Sequence, residues 1–156
     1  MAKVLIVDHE KCTGCRICEL VCSVNKEGAA NPAHARIHTV KWEMEGSYVP
    51  MFCRQCVDPT CAAVCPMNAI SRDDYLDLTK VDDALCIGCR ACISACAFGG
   101  VGFNQETQKT MRCDTCGGQP TCVDFCETGA LIFIDVEAVN LRRQRIAAEK
   151  IRAATR

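Results

Sequence analysis

Cysteine is the residue best equipped for chemistry in this chain. There are 16 in 156 residues, about a tenth of the total and far above ordinary usage. They fall into four groups of four, and none lies outside a group. The first is Cys12-x2-Cys15-x2-Cys18-x3-Cys22 and the second Cys53-x2-Cys56-x4-Cys61-x3-Cys65. The third is Cys86-x2-Cys89-x2-Cys92-x3-Cys96 and the fourth Cys113-x2-Cys116-x5-Cys122-x3-Cys126. A thiolate is a soft metal ligand. The x2 spacings set three of them on one tight loop, aimed at three corners of a cube, and the fourth, further along a short helix, points away. Four zinc sites of four thiolates each are the alternative. Zinc ribbons and fingers, however, pair two-cysteine knuckles a dozen or more residues apart, and a run of three then one suits a single zinc poorly.

The x2-x2-x3 run is that of bacterial ferredoxins, in which three cysteines hold one [4Fe–4S] cluster and the fourth reaches across to the other cluster of a pair. Internal repetition supports the grouping. Residues 12–18 and 86–92 agree at five of seven positions, and Pro59-Thr60-Cys61 recurs as Pro120-Thr121-Cys122, so the chain reads as a duplicated two-motif unit. Gly14 and Gly88 sit where the backbone must bend beside sulfide, a place for a residue without Cβ. Pro59 and Pro120 are placed to start short helices carrying Cys61/Cys65 and Cys122/Cys126.

The elements that must position these loops are short. Met1–Asp8 is a charge-flanked strand pattern. Residues 37–44 alternate partly, with His38, Val40, Trp42 and Met44 on one face; Tyr48–Phe52 follows, and Ala130–Ile134 is a compact apolar strand. Ser71–Asp74 is a turn between Ala69–Ser71 and Tyr75–Val81. Of the hydrophobic 49%, cysteine is a large part, and there are only one Trp, two Tyr and five Phe. A core of usual size is not available, and domains of this make-up need metal or disulfides. The absence of an 18-residue apolar run and of a signal-peptide pattern points to a cytoplasmic protein without a stable membrane anchor. In that compartment dense cysteine means metal ligation before disulfides.

The four motifs, their order and the x4 and x5 expansions resemble the four-cluster ferredoxin-like electron-transfer subunits of molybdopterin and tungstopterin oxidoreductases, hydrogenase complexes and carbon monoxide dehydrogenases, over roughly residues 3–135. The resemblance implies four [4Fe–4S] clusters. The first motif then pairs with the fourth: Cys12, Cys15, Cys18 and Cys126 hold cluster 1, and Cys22, Cys113, Cys116 and Cys122 hold cluster 2. The second pairs with the third: Cys53, Cys56, Cys61 and Cys96 hold cluster 3, and Cys65, Cys86, Cys89 and Cys92 hold cluster 4. The implied fold is α+β, with two bacterial-ferredoxin-like modules, one inserted in the other, plus a C-terminal helix. Residues 1–50 and 105–135 form the outer module, 51–104 the inner one, and 136–156 the basic helix. Only Cys65 is followed by the family's proline; Ala97 and Glu127 follow Cys96 and Cys126. Size and the basic extension are most similar to the small iron–sulfur subunit of bacterial tungsten aldehyde oxidoreductase, with subunits of carbon monoxide dehydrogenase, hydrogenase or formate hydrogenlyase complexes as rivals.

All cysteines being assigned to closed clusters, no catalytic constellation remains. His9, His34 and His38 read as solvated or strand-lining side chains, and residues 99–102 lack the strand-to-helix context of a dinucleotide fingerprint. The reading is therefore an electron relay between a catalytic subunit, tungsten- or molybdenum-pterin in type, and a second redox protein or flavin subunit. A structural or regulatory iron–sulfur protein is the alternative of another class. Lys11, Arg16, Arg54, Arg90 and Arg112 adjoin ligand cysteines, where a cation favours the reduced cluster, although each also reads as an ordinary solvated charge. The net charge of −1 hides an asymmetry: residues 141–156 carry six Lys/Arg against one Glu, and the rest carries 12 against 18. With an acidic body and no aromatics among the arginines, nucleic-acid binding is not expected. A helix from Val136, capped by Asp135, is expected to dock on a partner or on another copy through 141–156.

Overall fold

A computed structural model describes residues 3–73 and 77–154. Met1 and Ala2 of the first strand pattern, Asp74 of the Ser71–Asp74 turn, Tyr75 and Leu76 of the Tyr75–Val81 strand, and Thr155 and Arg156 of the tail lie outside the described residues. Among those described, the architecture is four separate antiparallel pairs of short strands interleaved with helices.

The apolar, β-branched stretches at the two ends of the cysteine-bearing region form one of these pairs. β1 (Lys3–Val7) lies antiparallel to β8 (Leu131–Asp135), with Leu5 opposite Phe133. β2 (Ile37–Trp42) and β3 (Ser47–Phe52) make a hairpin in which Ile37 faces Phe52. The alternation read from sequence holds as far as Trp42, with Ile37 buried and His38, Val40 and Trp42 on the opposite face exposed, but the strand is shorter than expected and Met44 falls in the turn that follows. β4 (Ile70–Asp73) pairs with β5 (Leu78–Val81).

The fourth hairpin, β6 (Val101–Asn104) with β7 (Lys109–Arg112), was not anticipated. Neither strand has an apolar run to announce it. Its signal is turn chemistry: the Asn104 carboxamide oxygen accepts from the amides of Glu106 and Thr107 at 2.9 and 3.1 Å, closing the connection locally.

Helix α1 (Ile17–Glu27) is longer than the short helix expected and stops at Gly28, whose left-handed backbone turns its amide to the Val24 carbonyl at 2.9 Å. α2 (Thr60–Ala63), α3 (Ala91–Ala95) and α4 (Thr121–Asp124) are single turns. Pro59 and Pro120 do start α2 and α4, as N-caps whose carbonyls accept from residues three ahead. The helices are shorter than expected, so Cys61 and Cys122 lie on them while Cys65 and Cys126 fall just beyond their ends.

Two apolar cores result, and cysteine is a major constituent of both. One gathers Leu5, Ile37, Phe52 and Leu131 with Cys22 and Cys122, and Cys18, Cys113 and Cys126 pack against it. The other gathers Ile70 and Val101 with Cys61 and Cys92, flanked by Cys65 and Cys96. Correspondingly, α1 packs on α4 and α2 on α3. The 19-residue α5 (Val136–Ala154) buries no side chain. It runs beside the acidic loop after β1, where Arg142 donates to Asp8 at 2.9 Å and Lys150 lies 3.7 Å from Glu10. No helix among the described residues is long and apolar enough to cross a membrane.

Candidate metal centres

The loop entering each x2-x2 motif is built the same way twice. Gly14 and Gly88 have φ of +68° and +69°, and two residues on, Arg16 and Arg90 have φ of 63° and 64°. This paired left-handed backbone wraps the loop tightly enough to turn successive cysteines inward. A Cβ at Gly14 would lie 2.5 Å from the Tyr48 ring, and one at Gly88 would collide with the Gln108 carbonyl. Both strain and space thus reserve these positions for glycine.

Three cavities open among the cysteines, and each is lined by residues from two motifs. Cys12, Cys15 and Cys18 share one with Cys126. A second is lined by Cys113, Cys116, Cys122 and Cys22. The third is lined by Cys86, Cys89, Cys92 and Cys65. Of the remaining four, Cys53, Cys61 and Cys96 are drawn together by other contacts. Cys61 and Cys96 belong to one core, and the Gly100 amide donates to Cys96 Sγ at 3.3 Å while a Cβ at Gly100 would collide with the backbone of Cys53. Cys15 and Cys89 are exposed, whereas the other fourteen are buried or half-buried.

The fourth cysteine of every motif accepts a backbone amide. Arg36 donates to Cys22, Ala69 to Cys65, Gly100 to Cys96 and Leu131 to Cys126, all at 3.3–3.4 Å. Such donors favour thiolate over thiol and, around a cluster, the reduced over the oxidised state. Side chains supplement them: the Thr110 hydroxyl lies 3.3 Å from Cys86 Sγ, the Thr39 hydroxyl 3.8 Å from Cys18 Sγ, and the Asn25 amide donates to Cys116 Sγ at 3.3 Å. These contacts were missed in the sequence because the partners are more than 20 residues apart. Only hairpin register brings the threonines opposite the sulfurs.

Of the five cations flanking cysteines, one reaches sulfur. Arg112 is buried, with 5% of its surface exposed, and it donates to Cys53 Sγ at 2.8 Å and to Cys61 Sγ at 3.4 Å. Its targets belong to the second motif, not to its neighbour Cys113. Arg16 is instead bound to the buried Glu19 at 2.6 Å, Arg90 stacks on Phe103 at 3.9 Å, Arg54 lies over Phe52 and Lys11 beside Asp8. Glu19 also accepts the Thr39 amide at 2.7 Å. Burial pushes its carboxyl up, but Arg16 and that amide outweigh burial and leave it below the usual range. Of the histidines, His34 lies 3.6 Å from Glu106.

Burial sets the resting state of the metal-free thiols. It pushes Cys18 up to about 11 and Cys113 up to about 12, and it raises Cys22, Cys92 and Cys122 as well. Cys86 goes the other way, since hydrogen bonds from Thr110 outweigh its burial. A metal bound through such thiols must displace their protons. Among the described residues no three His, Cys, Asp or Glu side chains converge tightly enough for one metal ion. Four sulfurs spread around a cavity fit a polynuclear cluster, in which each thiolate binds its own iron.

Known proteins are similar to this chain. The model of the 4Fe-4S dicluster domain matches residues 44–136, and that of the 4Fe-4S binding domain matches residues 5–25. The polyferredoxin-like subunit of an aliphatic sulfonate oxidoreductase from Pyrococcus furiosus is 37% identical over 138 residues, covering 88% of this chain and 79% of that subunit. The electron transport protein HydN of Escherichia coli is 34% identical, with 97% of each chain covered. Subunit beta of the NADH-dependent phenylglyoxylate dehydrogenase of Aromatoleum evansii is 36% identical over 129 residues; 81% of this chain is covered, and it spans 29% of that larger protein.

Proposed function

This chain belongs to the 4Fe-4S dicluster domain family, and from that premise we propose that it relays electrons between a tungsten- or molybdenum-pterin catalytic subunit and a second redox protein or flavin subunit. The chain is a non-catalytic electron-transfer subunit of an oxidoreductase complex, with four [4Fe–4S] clusters as its cofactors. Each cluster supplies a one-electron carrier. Tungsten aldehyde oxidoreductase is the complex proposed, on the similarity of size and basic extension.

One observation carries the reading: cysteines of the first and fourth motifs line shared cavities, and a further cavity is shared by the second and third. This supports twelve of the sixteen ligand assignments and the insertion of a 51–104 module into an outer module of 1–50 and 105–135; cluster 3 is supported instead by the core shared by Cys61 and Cys96 and by Arg112, which bridges Cys53 and Cys61. The two cysteine-bearing cores and the β1–β8 pairing support the same division. They also suggest an order. Cys15 and Cys89, the exposed ligands, belong to sets 1 and 4. Sets 2 and 3 meet inside, where the Gln55 side chain donates to the Cys113 carbonyl and accepts the Thr79 amide at 2.7 Å. Electrons then run 1–2–3–4, entering and leaving at the exposed ends.

Affinity purification of the chain under anoxic conditions, with metal analysis of what co-elutes, tests the partner. Tungsten supports the aldehyde oxidoreductase, whereas molybdenum points to a formate or related enzyme and nickel to hydrogenase or carbon monoxide dehydrogenase. Clusters that stay inert across the physiological potential range would favour a structural or regulatory protein instead.

A further inference from the structure

We infer that Arg112 is a potential-setting residue: its buried guanidinium holds the reduced state of the cluster bound by Cys53, Cys56, Cys61 and Cys96 above what those thiolates alone would allow. The inference rests on the reading of those four cysteines as one ligand set.

The argument starts from an unbalanced charge. Arginine stays protonated in proteins, so a buried guanidinium needs an anion or a full set of acceptors, and one left unpaired is strongly destabilising. No carboxylate pairs with Arg112 among the described residues, and its Nε is buried without a partner. What its two terminal nitrogens face are Cys53 Sγ and Cys61 Sγ, at 2.8 and 3.4 Å. Neutral thiols are weak acceptors and cannot offset a buried cation. Two thiolates on an anionic cluster can. The geometry of Arg112 is therefore matched to the loaded state.

Other cations near cysteines are paired, stacked on a ring or directed at carbonyls rather than sulfurs: Lys109 donates to the Cys86 carbonyl, and Arg72, paired with Asp77, to the Cys56 carbonyl at 2.8 Å. Arg16 is spent on Glu19, Lys26 on Asp114 at 2.7 Å and Lys11 on Asp8, and Arg90 lies against a phenylalanine ring. Set 2 receives a neutral donor from Asn25. Reduction adds one electron and one negative charge to a cluster; no bond forms or breaks, and Arg112 keeps its proton throughout. The electron comes from the reduced catalytic partner or, in a titration, from dithionite. A permanent cation touching two ligands stabilises that added charge, so one inner cluster is set apart from its neighbours in potential. Because Arg112 also precedes Cys113 in the chain, the same strand end joins sets 2 and 3 at the point where the electron crosses.

The test is an anoxic redox titration, followed by electron paramagnetic resonance, of the full chain with about sixteen irons. In Arg112→Gln one of four midpoints should fall so that the reduced-to-oxidised ratio at fixed potential drops at least tenfold, about 59 mV for one electron. Arg112→Lys, which keeps the charge, should shift by less than half of that. The affected signal should be the one missing from Cys56→Ala. Unchanged midpoints in Arg112→Gln overturn the proposal, as does an equal shift in Arg112→Lys, or loss of about four irons from Arg112→Gln, which would make the residue structural. A shifted signal that survives in Cys56→Ala overturns the ligand set while leaving the effect of the cation standing.

Discussion

Replacing Gly100 by alanine tests whether the second and third motifs share a cluster, because this glycine is where their backbones touch. A Cβ built at Gly100 lies 2.7 Å from Cys53 Cα, 2.9 Å from Cys53 N and 2.9 Å from the Phe52 carbonyl oxygen. Ordinary contact begins near 3.4 Å, so the two segments must part by about 0.7 Å. All three atoms are backbone, and no rotamer change relieves the overlap. Nor can β3 simply retreat, since Phe52 is 2% exposed and packed in the core. Overpacking of this kind costs about 1–3 kcal/mol. The strain falls on Cys53 and, through the hydrogen bond from the Gly100 amide to Cys96 Sγ, on the two cysteines proposed to complete cluster 3 from opposite sides. The expected outcome is a folded chain with about twelve irons in place of about sixteen, one electron paramagnetic resonance signal lost, and the remaining three intact. Gly28→Ala is the control. It meets nothing within 4 Å and bears only left-handed strain at φ +73°, about 1–2 kcal/mol, with no cysteine attached. A Gly100→Ala chain that retained sixteen irons and the denaturant midpoint of the parent would refute the reasoning.

Three further outcomes follow from the same geometry. Cys22→Ala should remove the cluster of Cys113, Cys116 and Cys122 and spare that of Cys12, Cys15 and Cys18; spectroscopic loss confined to the latter would reverse the crossed assignment. Cluster assembly should release protons and be favoured by rising pH. Cys18 and Cys113 are held protonated by burial, so metal-free folded chain binds more protons than unfolded chain and loses stability as pH climbs past the ordinary thiol value near 9. At about pH 10, between the ordinary and the raised values, proton release per thiol on reconstitution that did not exceed that of a small unfolded thiol peptide would contradict this. Truncation before residue 141 removes the Arg142–Asp8 and Lys150–Glu10 contacts, which are partly exposed ion pairs of at most about 1 kcal/mol each. Iron content should therefore hold while binding of a partner or of another copy weakens, measured by analytical ultracentrifugation and partner-dependent electron transfer.

How much of this was legible in the sequence depends on how local each signal is. The left-handed loops at Gly14 and Gly88, the helix starts at Pro59 and Pro120 and the β2–β3 alternation are set within a few residues, and each is found where the pattern put it. The β6–β7 hairpin escaped notice because its strands carry Gly102 and Lys109 where a strand pattern wants apolar residues; its stability comes from Asn104 in the turn and from packing against cysteines. Arg112 shows the same limit at the site. Chain adjacency assigns it to Cys113, while the twist of a four-residue strand aims it at Cys53, 59 positions away. Alternation along β7 could have signalled that Thr110 and Arg112 share a face, but only after the hairpin itself had been recognised.

The four strand pairs explain why loading and folding must be coupled in this chain. An isolated two-stranded hairpin is marginal at best in water, and among the described residues none is extended into a larger sheet. The apolar side chains that join the pairs are few, and in both cores the spaces between them are filled by cysteines. Without metal those cysteines contribute like small apolar groups. In the ligand sets proposed above, each cluster would be a four-point anchor tying a helix end from one motif to a loop from another. The links that hold the hairpins together are thus the links that would set the distances between clusters. A substitution that loosens a core beside Cys22 or Cys96 should alter electron transfer and stability together, whereas one on α5, which buries no side chain, should alter assembly alone.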